Sequence, residues 1–140
     1  MGFYIGYKAV FDAAKTAIAT KSSIKTVVLG EQFTLGDLPK ALINAEPTTI
    51  SQAALGRLLQ AKVNFSVVLT ILEYEPKDWF TDIIQVMGDV VDAVLADRTL
   101  QGTVKNVTPT GFAPGEIKFQ NKLYYGGAVR FEALLFYNPS

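Results

Sequence analysis

Apolar residues recur at three- and four-residue steps along the first segment. Phe3, Tyr7, Val10, Phe11, Ala14 and Ile18 fall on one side of a helix, and Lys8, Asp12 and Lys15 take the rest of its surface. Ser22 and Ser23 end that pattern, and Ile24–Leu29 reads as a short β-branched strand closed by Gly30. Glu31–Lys40 has no period and contains Gly36 and Pro39, so it reads as a loop. Alternation then takes over. Ala41–Ser51 and Ala61–Glu75 predict two long strands, joined through Gln52–Gln60 by a long hairpin tip or a short helical turn. In the second strand Val63, Phe65, Val67, Leu69 and Ile71 alternate with Asn64, Ser66, Val68 and Thr70, which buries one face first and both faces later. Pro47 cannot donate to a ladder, which predicts an edge position or a bulge there.

Pro76 and Asp78 announce a second helix, with Asp78 as its N-cap. Trp79, Ile83, Val86, Val90 and Val94 lie on one side, joined by Ile84, Met87, Val91 and Leu95, and Asp82, Gln85, Asp89 and Asp92 line the other. Beyond it, Gly102–Pro109 predicts a strand, Thr110–Gly115 a turn-rich loop, Glu116–Gln120 a short strand and Gly127–Tyr137 a long final one. In the last, Val129, Phe131, Ala133, Leu135 and Tyr137 face one way, against Arg130 and Glu132. The order α-β-β-β-α-β-β-β does not alternate as a parallel α/β fold would. It predicts an α+β fold: one domain over residues 1–140, an antiparallel-rich sheet with two helices packed on one face.

The 140 residues are 49% hydrophobic and only 19% charged, which excludes disorder and predicts a surface partly covered by other copies of the chain. Lys plus Arg and Asp plus Glu are each 13, and no basic run exists, so tight DNA binding is disfavoured while passage of DNA through a non-sticky channel is not. The absence of Cys and His removes thiol nucleophiles, imidazole bases, disulfides and the usual zinc sites. Carboxylates are left as the acid/base candidates. Asp82, Asp89, Asp92 and Asp97 would have to converge in a cleft to act; a solvated or interface face is the simpler reading, as it is for Glu73 and Glu75 on a strand end. Gly126-Gly127 sits between two strands and fits a kink or bulge better than a phosphate cradle. The Phe and Tyr residues fall mostly at core positions rather than on a basic stacking groove, and Trp79 is either a core or an interface anchor. No catalytic, cofactor-binding or metal residue is assigned. Met1–Tyr7 is neither a signal peptide nor an anchor and no apolar run reaches spanning length, so a soluble protein made in the cytoplasm is expected.

The stretch from Val90 to Val107 joins a helix end, the turn Asp97-Arg98-Thr99-Leu100-Gln101-Gly102 and a following strand. It resembles the helix, Asp-x-Thr-Leu-x-Gly turn and strand of tail terminator and related tail-completion proteins of long-tailed phages. Tyr124-Tyr125-Gly126-Gly127-Ala128-Val129 and the final apolar strand are similar to that family's C-terminal end, and the order and length of elements extend the likeness along nearly the whole chain. Gln101 stands where a second Gly is common. Chemically, Asp97 and Thr99 can bond nearby backbone as the helix ends, and Gly102 allows a left-handed or close-packed conformation; a generic helix-to-strand turn would use the same residues.

The resemblance implies a homo-oligomer, a hexameric ring that caps the finished tail tube, stops its growth and meets the head-side connector or neck protein. It implies a place in the virion at the tail–neck junction, after assembly in the host cytoplasm. DNA would pass through the lumen without specific binding, past acidic or neutral residues such as the Asp82/Asp89/Asp92 face. Neither a cofactor nor a membrane is implied. A neck or head–tail connector protein, a tail-tube subunit and a small-molecule-binding α+β domain stay open as alternatives, with a carboxylate hydrolase as the remote one. Phe33, Leu35 and Leu38 sit in a Gly- and Pro-containing loop where no core period demands them. They are candidates for the contact with the tube protein, or they fold back over the domain's own core.

Overall fold

The structure, a computed structural model, describes residues 3–30, 37–52, 58–73, 79–119 and 121–137. Helix α1 is Phe3–Ala19, followed by strands β1 (Thr26–Leu29), β2 (Lys40–Ala45), β3 (Thr49–Gln52) and β4 (Leu59–Glu73). Helix α2 is Trp79–Leu95, and β5 (Asn106–Phe119) and β6 (Lys122–Tyr137) complete the chain. The strands form one six-stranded sheet in the order β1-β2-β4-β6-β5, with β3 also on β4. Every pairing is antiparallel except the parallel β1–β2. This is the expected α+β architecture.

Register explains the single core. Phe65 is opposite Phe131, Val67 opposite Val129 and Val63 opposite Ala133, so the odd-numbered residues of both strands share a face, and all six are buried. Both helices cover that face. The Phe11 ring of α1 meets Phe65 edge-on at 5.7 Å between centroids, and Phe65 stacks on Phe131 at 5.2 Å. Phe11 continues through Tyr7 and Phe3 to Tyr137, giving an unbroken aromatic run from the first helix to the last strand. On the α2 side Gly127 matters: a Cβ there would overlap the Ala113 carbonyl and lie 2.8 Å from Met87 Sδ. The glycine therefore lets β5 and α2 close over β6, inside a continuous strand and not in a phosphate cradle.

Several element bounds differ from expectation, and the observed order is α-β-β-β-β-α-β-β. The strand expected over Ala41–Ser51 is broken at Pro47 into β2 and β3, which lie end to end along one side of β4. Glu46 N still donates to Asn64 O at 2.9 Å, and Asn64 Nδ2 reaches Pro47 O, so the break is bridged without a ladder. The strand, loop and strand expected over Gly102–Gln120 are instead a turn through Val104 and one strand, β5, whose register shifts between Pro109 and Gly111. A β-bulge absorbs the Pro and Gly residues there. Strand β6 starts five residues before the expected Gly127, after Asn121 turns the hairpin at φ 66°. Strand β1 starts at Thr26 rather than Ile24, because Lys25 N and Thr26 N both donate to Pro39 O.

Candidate functional site

The turn that carries the family resemblance has a definite geometry. Helix α2 makes its last helical bond from Ala96 N to Asp92 O. One Asp97 carboxylate oxygen then accepts the Thr99 hydroxyl (2.7 Å) and amide (3.0 Å), and the other accepts the Gln101 amide (2.9 Å). The Thr99 hydroxyl oxygen in turn accepts Gly102 N at 3.2 Å. Donation from the Thr99 hydroxyl, then from the Gln101 and Thr99 amides, holds the Asp97 carboxyl below its ordinary value of 3.8. These bonds wrap a backbone with three successive positive φ angles: Leu100 (46°), Gln101 (60°) and Gly102 (78°). Left-handed backbone costs an L-residue roughly 1–2 kcal/mol, and only the third of these positions is a glycine. The reward at the first is burial: Leu100 is 1% exposed and belongs to the hydrophobic core. Gly102 is left-handed but not close-packed, with nothing within 4 Å of its would-be Cβ.

Outward from the turn, Arg98 Nε donates to Asn106 Oδ1 (3.0 Å), and Lys105 N opens the β5–β6 ladder on Leu134 O (2.8 Å). The turn thus sets where β5 begins. Between it and the C-terminal ends of the helices lies a shallow cleft of about 220 Å3, lined by Thr16, Ala93, Asp97 and Gln101 among others.

The acidic face of α2 is not uniform. Asp82 and Asp92 are exposed, but Asp89 is half-buried and accepts the Ser23 hydroxyl at 2.8 Å, tying α2 to the segment after α1. Asp89 is therefore a structural anchor rather than part of a free carboxylate row. Among the described residues, no three Asp or Glu side chains come together as a metal-holding group. Nor is any helix there long and apolar enough to cross a membrane.

Phe33 and Leu35, within residues 31–36 of the candidate tube-contacting loop, lie outside the described residues, as do Asp78 and the side chain of Trp79. Leu38 is half-buried and precedes a cis peptide bond to Pro39. The backbone around it is fastened to β1, since Thr26 Oγ1 donates to Asp37 O at 2.8 Å.

Two surfaces went unforeseen. At the β1 edge an apolar groove of about 410 Å3 runs between α1 and the β1–β2 pair, walled by Tyr4, Tyr7, Phe11, Leu29, Ile43 and Ala45. At the β5 edge Phe112 stands 47% exposed. The signal for the first was present: Tyr4 is an apolar side chain off the stripe of the first helix. Phe112 was hidden by the turn-like residues around it. Neither a protein-family model nor a curated protein sequence matches the chain.

Proposed function

We propose that the chain is a structural, non-catalytic virion protein: a tail terminator that assembles as a hexameric ring, caps the tail tube and stops its polymerisation. The observation that carries this reading is the Asp97–Gly102 turn. The residues on which the family resemblance rests are those that close the carboxylate-centred, left-handed turn between α2 and β5. Its partners are further copies of itself, the tube protein and the head-side neck protein, and it resides at the tail–neck junction.

The low charge fraction and the exposed apolar side chains at both sheet edges fit a protein whose free surface is completed by copies. A balance of 13 cations and 13 anions suits a lumen through which DNA slides without being held, with Asp82 and Asp92 as lining candidates. Electron microscopy of the purified protein tests the reading. Closed rings are expected; self-grown tubes would identify a tube subunit instead, and isolated single particles at all concentrations would overturn the ring. Salt-sensitive duplex binding at physiological ionic strength would overturn the lumen assignment.

A further inference from the structure

The groove and Phe112 share a face and occupy opposite edges of the sheet. Phe112 is opposite Val129 in the ladder, and Val129 is buried under the helices, so Phe112 belongs to the helix-covered side. The groove lies on that side too, since α1 forms one of its walls. Asp89 reaches Ser23 on the α1 side of α2, so the helical rotation of about 100° per residue puts Ile84 and Val91 on the other flank, above β5. Both are half-buried there.

A chain cannot fill its own groove with its own Phe112. The order β1-β2-β4-β6-β5 puts four inter-strand steps between them, about 19 Å at the usual spacing. We propose that Phe112 of one copy seats in the β1-edge groove of the next, repeated head to tail around a ring. This rests on the ring reading above and names its contact. A convex patch on one edge and a concave one on the other form a heterologous pair, and such a contact closes into a ring when its rotation permits.

Area favours a second copy over an isolated exposed side chain. Tyr4 is 72% exposed, and Leu29, exposed as well, lines the same groove. With an aromatic side chain burying 150–250 Å2, the apolar area open at this edge is on the order of 300 Å2. A specific interface buries about 800 Å2 per partner around such an apolar centre. Aromatic side chains seated in pockets are also where binding energy concentrates.

The test uses the full chain with Phe112→Glu and, separately, Tyr4→Glu. Tyr4 lies in the first turn of α1, where a carboxylate suits the helix dipole, so the second variant keeps its fold. Phe112→Thr, which retains strand propensity, serves if Phe112→Glu does not fold. Each variant should raise the dissociation constant of assembly at least about 30-fold and run as a monomer where the unsubstituted chain forms rings. Mixed in equal amounts, the two should give a one-to-one dimer and nothing larger, since only one intact groove meets one intact Phe112. Rings from Phe112→Glu or Phe112→Thr, or a mixture that yields no dimer, would overturn this contact and leave the ring reading standing. An unsubstituted chain that never forms rings would overturn both.

Discussion

Phe65 and Leu100 are both sealed from solvent, yet they are held there by opposite means. Phe65 sits in the middle of β4 in ordinary extended backbone, stacked on Phe131 and met edge-on by Phe11, and its strand alternates as any half-buried strand does. Leu100 is buried on a left-handed backbone that a leucine resists, held by the Asp97 carboxylate and the Thr99 hydroxyl nearby. The first region rests on non-directional burial, which tolerates many sequences. The second rests on directed hydrogen bonds that offset strain, and it depends on the identity of a few residues.

The largest expected effect is on the burial side. Phe65→Ala should lower unfolding free energy by about 3–5 kcal/mol, read by urea denaturation. A loss below roughly 1 kcal/mol would mean that the aromatic run does not hold the core. Leu100 offers a sharper test, because strain and burial are superposed in one residue. Leu100→Ala should lose about 2–4 kcal/mol, and Leu100→Gly should lose less than Leu100→Ala, since glycine adopts φ 46° freely. That inverts the usual order of the two residues; the usual order would show that no strain is stored at Leu100.

The next two positions are left-handed without burial. Gly102→Val should lose roughly 1–3 kcal/mol through φ alone, since space is open around it. Gln101→Gly should gain about 0.5–1 kcal/mol by relieving φ 60°. Thermal melting that leaves both unchanged would remove the left-handed turn from the account. The smallest effect concerns pH. The Asp97 carboxyl is depressed below 3.8 in the folded chain, so its contribution is complete above that value and is lost as pH falls through the folded one. The melting difference between the unsubstituted chain and Asp97→Asn should therefore narrow in acid below 3.8; a constant difference would mean that the carboxylate's charge plays no part.

The same contrast governs what could be read from sequence. Periodicity locates α1, β4, α2 and most of β6, because burial on one face imprints a period of 3.6 or 2. It failed for β5, where Pro109, Gly111, Pro114 and Gly115 look like turn punctuation. At a sheet edge a proline can turn its missing N–H outward, and a bulge takes up the irregular register, so those residues do not interrupt pairing. Residue identity, not periodicity, gave the Asp97–Gly102 turn, although the left-handed Leu100 and Gln101 carry no sequence mark of their own. At the β1 edge the sequence carried part of the groove, Tyr4 off the helix stripe, while its union with Leu29 and Ile43 is made only by the tertiary fold.

Native mass spectrometry of the full chain at micromolar concentration tests the central claim, assembly into a closed ring, most directly. A dominant species near six times the 15.3 kDa chain mass, about 92 kDa, is the predicted result. A stable monomer or dimer at every concentration, with no larger closed species, would contradict it.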